Sequence, residues 1–99
     1  MELERTIIGR HRNPPKVTIP QICKDAKTAT LTMMNQLILF RDYRREACLW
    51  VNEILPTLVE EVSGTEVVRK FWEAPRDSWF EFDYGKRTLY LCQVKKINP

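Results

Sequence analysis

The chain reads as an α+β domain: two or three helices, over about residues 19–63, pack on one face of a three- or four-stranded antiparallel sheet with a C-terminal β-hairpin. Three observations predict it. Residues Ser78 to Val94 alternate in polarity around Gly85-Lys86. With that pair as a two-residue loop, Phe82 faces Leu89 and Phe80 faces Leu91, so one face of the hairpin is apolar and needs a covering layer. Between Pro20 and Pro56 there is no Gly or Pro, and apolar residues recur at spacings of three and four. Finally, 99 residues at 43% hydrophobic content can bury one core without disulfides or metal, which implies a single domain over 1–99.

Leu3 to Gly9 suits a short strand, because Thr6, Ile7 and Ile8 favour the extended form and Gly9 ends it. The stretch Arg10-His11-Arg12-Asn13-Pro14-Pro15 offers no core side chain, so residues 1–16 are expected to be partly an exposed basic arm. Thr18 and Gln21 have the spacing of a capping box, with Val17 and Ile22 placed as a hydrophobic staple. From there Ile22, Ala26, Ala29, Met33, Leu37 and Phe40 form one helical stripe.

A single helix to Pro56 would be long for a small domain. A break at Arg41-Asp42-Tyr43 is favoured over one at Lys27-Thr28-Ala29-Thr30. Asp42 then caps a second helix whose apolar side carries Ala47, Cys48, Val51, Ile54, Leu55 and Leu58. Pro56 kinks that helix or opens a short piece over Thr57 to Val62, and Ser63-Gly64 provides the stop. Glu66 to Trp72, rich in β-branched and aromatic residues, reads as a strand, and Pro75-Arg76-Asp77 as a turn into the hairpin. The sheet is then a three-stranded meander over about 66–95, with the N-terminal strand as a fourth member.

No apolar run approaches the length of a membrane span, and Met1 to Arg5 lacks the pattern of a secretory leader, so an intracellular protein is expected, cytoplasmic or nuclear. Cys23, Cys48 and Cys92 are widely spaced among apolar neighbours and read as free, buried thiols. With His11 the lone histidine, a structural zinc site lacks ligands, and no metal or other cofactor is expected. Glu81 and Asp83 lie two apart on one strand face, but alternation alone produces such pairs. Nothing places a cysteine beside His11, and the three glycines are too far apart to cradle a phosphate. The inventory points away from an enzyme and from a small-molecule substrate.

The net charge of +3 is unevenly placed. Six cations against Asp25 fall between Arg5 and Lys27, a pattern that suits contact with a polyanion. The expected function is a small non-enzymatic nucleic-acid-binding protein, for DNA or RNA. Arg10, Arg12, Lys16, Lys24, Lys27, Arg41, Arg44 and Arg45 would contact the backbone through the arm and a helix face. A helix-turn-helix over Thr18 to Leu37 is disfavoured because its turn would carry Lys27 where glycine is usual.

The alternative is a protein-interaction module that self-associates as a homodimer. Trp79 and Tyr90 stand on the polar face of the hairpin with Glu81 and Asp83, a mixture that suits a protein partner better than a phosphate chain. Leu31, Met34, Ile38 and Leu39 lie off the main helical stripe and add surplus apolar surface.

Overall fold

A computed structural model of the chain describes residues 2–13, 30–33, 36–41 and 50–95. The predicted start of the first helix at Thr18, Lys16, Lys24, Lys27, Met34, Asp42, Arg44 and Arg45 lie outside the described residues, as do Cys23 and Cys48. The described chain is an α+β arrangement. Strands β1 (Leu3–Arg10), β2 (Thr30–Met33), β3 (Gln36–Phe40), β4 (Trp79–Asp83) and β5 (Thr88–Val94) form one antiparallel sheet in the order β1-β5-β4-β3-β2. A π-helical stretch, Trp50–Ile54, runs directly into a 3-10 helix, Leu55–Leu58, and helix α1 spans Gly64–Glu73.

The hairpin has the predicted register: Phe80 pairs with Leu91 and Phe82 with Leu89. Its loop differs. The strands stop at Asp83 and Thr88, leaving Tyr84 to Arg87 between them, and Arg87 rather than Gly85 takes the left-handed backbone at φ 52°. Asp83 Oδ1 accepts from the Lys86 backbone N–H at 3.1 Å, an Asx-type contact that favours the longer loop. The N-terminal strand joins the sheet, as expected; its place beside β5 is not specified by the sequence, and the strand carries a bulge between Ile7 and Gly9. Ile8 is the extra residue, and it turns into the core while Ile7 stays 49% exposed on the opposite side.

Two elements differ in type from the sequence reading. Residues 30–33 and 36–40 are strands, so the partner of β4 is β3 and not a strand at Glu66–Trp72. The helical stripe through Met33, Leu37 and Phe40 coexists with a period of two, Leu37 and Leu39 against Ile38 and Phe40. In register with β4 the shorter period prevails, since Leu39 pairs with Phe80 and Leu37 with Phe82. Leu31 and Ile38 therefore lie on strands, paired with each other, and not on a helix.

The second difference is Glu66–Trp72, which lies inside α1. Ser63 is the N-cap of this helix and not the end of a preceding one: its side chain accepts from the Glu66 N–H at 3.2 Å. Arg69 binds both Glu66 and Glu73 along the exposed side, and its bond to Glu66 holds that carboxyl below the usual carboxylate range. Val67 and Phe71, four apart, are completely buried. A cap, ladder pairs and one buried stripe outweigh the strand preference of two adjacent valines.

The helical layer lies on one face of the sheet. Val51, Leu55, Leu58, Val67 and Phe71 pack with Leu39, Phe80, Phe82 and Leu89 in a single core. Pro56 stands in the first turn of the 3-10 helix, where its missing N–H is harmless. Arg41 enters the rim of this core and is 3% exposed. Its Nη2 donates to the Trp72 carbonyl at 2.9 Å, and its guanidinium lies 5.6 Å from the Phe71 ring centre.

Candidate functional site

Alternation along the strands places a second set of side chains on the face away from the helices. Reading across β3, β4, β5 and β1, one row is Ile38, Glu81, Tyr90 and Ile7. The next row is Phe40, Trp79, Cys92 and Arg5. Leu3 and Val94 pair with each other further along β1 and β5. Leu3, Ile7 and Val94 are the exposed large hydrophobic residues of the described chain, at 57%, 49% and 36%, and all three belong to this face. Of the interface residues expected from the sequence, the structure brings Trp79, Tyr90 and Ile38 together here, with Leu31 in register beside Ile38.

At the centre of the face is a polar knot. Arg5 Nη2 donates to Glu81 Oε2 at 3.0 Å, and the same guanidinium lies 4.1 Å from the centre of the Tyr90 ring. Glu81 Oε1 accepts from the Trp79 indole N–H at 3.1 Å. Both carboxylate oxygens are thus engaged, and Arg5 is tied toward the middle of the sheet. Glu81 thus links Trp79 to Arg5 and, through Arg5, to Tyr90. Arg5, Leu3 and Ile7 were missed as site residues. Their only sequence signal was an alternation on a strand whose orientation was unknown.

Cys92 lies beneath this knot at 1% exposure. Burial first, and then the Glu81 charge, push its thiol up from an ordinary 9.0 to about 11 against the opposing pull of Arg5. A thiol held neutral in the fold stabilises it fully below about pH 9, and that contribution is lost as pH rises toward 11. Wild-type protein is expected to lose stability relative to Cys92→Val over that window, and native Cys92 is expected to resist alkylation at about pH 8. A pH-independent difference between the two proteins, read from urea unfolding, would contradict this.

Of the basic set expected to meet phosphate, Arg10, Arg12 and Arg41 lie among the described residues. Arg41 is buried under the helical layer, where the sequence suggested an exposed helix face. The start of the arm is docked: the Arg10 N–H donates to Glu61 Oε2 and the Arg12 N–H to Glu60 Oε2, each at 3.1 Å. His11 packs against Glu60, with Nε2 at 3.5 Å from Oε1, and its side chain is 11% exposed. Glu60 and Glu61 thus hold the backbone of the arm at Arg10 and Arg12. The Arg87 guanidinium donates to the Arg12 carbonyl at 2.8 Å, so the basic end of the hairpin joins this corner.

A shallow cleft of about 390 Å³ lies between Glu4, Gln93, Val94 and Lys95 on the sheet and Pro75 and Asp77 in the turn after α1. Its charges are mixed. Among the described residues no group of three His, Cys, Asp or Glu side chains could hold a metal ion, and no helix is long and apolar enough to cross a membrane. Comparison with protein-family models, curated proteins and solved structures returns no match.

Proposed function

We propose that the chain is a non-enzymatic protein-interaction module that binds a second copy of itself through the open face of its sheet. The observation that carries this reading is the gathering of Leu3, Ile7 and Val94 beside Tyr90, Trp79 and Ile38 on the face that, among the described residues, the helical layer does not cover. Aromatic groups with a satisfied polar centre and a rim of exposed aliphatic side chains have the composition of an interface core. Sedimentation equilibrium over a concentration series is expected to show a dimer. Replacing exposed Ile7 and Val94 together by lysine is expected to weaken it by roughly a hundredfold, about 0.7 kcal/mol for each of the four side chains replaced in the dimer. A wild-type protein that stays monomeric at about 1 mM would remove the reading.

One observation favours a second reading, contact with DNA or RNA. The docked arm brings Arg10 and Arg12 to the hairpin loop that carries Lys86 and Arg87, joining cations far apart in sequence at one corner. Fluorescence anisotropy with labelled oligonucleotides at two salt concentrations tests it. Binding that falls steeply with salt and is lost in Arg10→Ala/Arg12→Ala/Lys86→Ala supports it, and no binding at low salt removes it.

A further inference from the structure

We infer that the second copy adds at the free edge of β1, antiparallel and strand to strand, with Arg5 on the two-fold axis and Leu3 opposite Ile7 of the partner subunit. This rests on the self-association proposed above and places its contact at the β1 border of the open face, where Leu3 and Ile7 lie, not across Tyr90 and Trp79.

Among the described residues, β1 is a terminal strand of the sheet and its outer edge has no neighbouring strand. The Lys95 N–H donates to the Glu2 carbonyl at 2.9 Å, in line with the register Leu3–Val94 and Glu4–Gln93. In an antiparallel ladder, hydrogen-bonded pairs alternate with non-bonded ones. Glu2, Glu4 and Thr6 therefore spend their backbone groups on the β5 side, while those of Leu3, Arg5 and Ile7 point outward from the sheet. The outward run has a definite end. At Arg10 the carbonyl accepts from the Glu60 N–H at 3.0 Å and the N–H is bonded to Glu61, so the 59–62 segment covers the edge beyond the bulge.

An outward run of residues 3, 5 and 7 is its own complement when the two-fold passes through Arg5. Leu3 then exchanges backbone hydrogen bonds with the partner's Ile7, Arg5 with the partner's Arg5, and Ile7 with the partner's Leu3. A two-fold at Leu3 or at Ile7 leaves outward groups unmatched or drives the edge into Glu60. The Arg5-centred register also sets the two most exposed large apolar side chains against each other across the junction.

Charge is compatible with that register. Two arginines at the axis would ordinarily repel, but each guanidinium is drawn back over its own Tyr90 and paired with its own Glu81. On the other face Glu4 meets the partner's Thr6, and no carboxylate meets another. The product is one continuous antiparallel sheet, a strand-addition interface in which main-chain bonds supply affinity and the Leu3 and Ile7 contacts supply register.

Amide hydrogen exchange by NMR on the full chain, at a concentration where sedimentation shows monomer and at one where it shows dimer, tests the inference. Amides of Leu3, Arg5 and Ile7 are expected to gain roughly tenfold or more in protection in the dimer, while those of Glu4 and Thr6, already in the β5 ladder, change little. Ile7→Pro removes an outward N–H and the Ile7 side chain and fixes φ near about −65°, while leaving the donors of the β5 ladder intact, and is expected to be monomeric with an unchanged circular dichroism spectrum. A dimer whose Leu3, Arg5 and Ile7 amides stay as in the monomer overturns the edge geometry and leaves association through the open face standing. Absence of any dimer overturns both. If Ile7→Pro loses its fold, the exchange comparison on the wild-type protein still decides.

Discussion

Phe71→Ala is expected to destabilise the protein by about 3–5 kcal/mol, as large an effect as any single truncation in the core. Phe71 is completely buried on the inner side of α1 and meets two other parts of the fold as well as its own helix. Its ring centre is 5.2 Å from that of Phe80 in the middle of the sheet, 5.3 Å from Trp72 in an edge-on arrangement, and 5.6 Å from the Arg41 guanidinium at the end of β3. Truncation removes the apolar burial and also leaves a space that Val67 and Leu55, already fixed in a close-packed core, cannot fill. Domains of this size have only about 5–15 kcal/mol in total, so the melting temperature is expected to fall by roughly 15–30 °C. Urea unfolding provides the measurement, with Phe71→Leu as the milder comparison. A loss below about 1 kcal/mol would mean that α1 does not seat on the sheet through this ring.

The hairpin and the N-terminal strand were legible in the sequence because period-two alternation and turn residues act over neighbouring positions. The pairing of Phe80 with Leu91 follows from local pattern alone. Thr30–Phe40 was not legible in the same way. Its apolar residues satisfy both a helical stripe and a strand alternation, and the choice falls to β4, some forty positions away, whose Phe80 and Phe82 are the partners of Leu39 and Leu37. The α1 segment carried a readable start in Ser63 and Glu66, yet two adjacent valines and two adjacent aromatic residues suggested a strand. The Glu66, Arg69 and Glu73 spacing was the stronger signal. For the candidate site, Trp79 and Tyr90 could be named from the hairpin pattern. Arg5 and its partners could not, since they meet only when β1 docks beside β5 in a long-range pairing. Arg41 shows the converse: a cation in a basic stretch reads as surface until the aromatic rim that encloses it is known.

Gly9→Ala is expected to cost about 1–3 kcal/mol and to disturb the corner that closes the β1 edge. A Cβ at Gly9 would stand 2.5 Å from Val59 Cγ1 and 3.6 Å from Val62 Cγ2. Gly9 has an ordinary negative φ, so the glycine is required by close approach and not by backbone conformation. Val59 is 5% exposed and β-branched, which leaves it little freedom to rotate away. Relief must come from a shift of the 59–62 segment, and that segment holds the Glu60 and Glu61 bonds to Arg10 and Arg12. The substitution is therefore expected to act in two ways: a lower midpoint in urea unfolding, and faster amide exchange at Arg10 and Arg12 than at Glu4 and Thr6. If the bonds at Arg10 are what end the free edge, loosening them lengthens the run of outward backbone past Ile7, and the Arg5-centred pairing loses the stop that selects its register. Self-association of Gly9→Ala should then persist but become heterogeneous, with species larger than a dimer appearing in sedimentation as added strands find offset alignments. Wild-type stability together with wild-type exchange at Arg10 would show that Val59 yields without moving its segment, and would remove this corner as the feature that limits the edge.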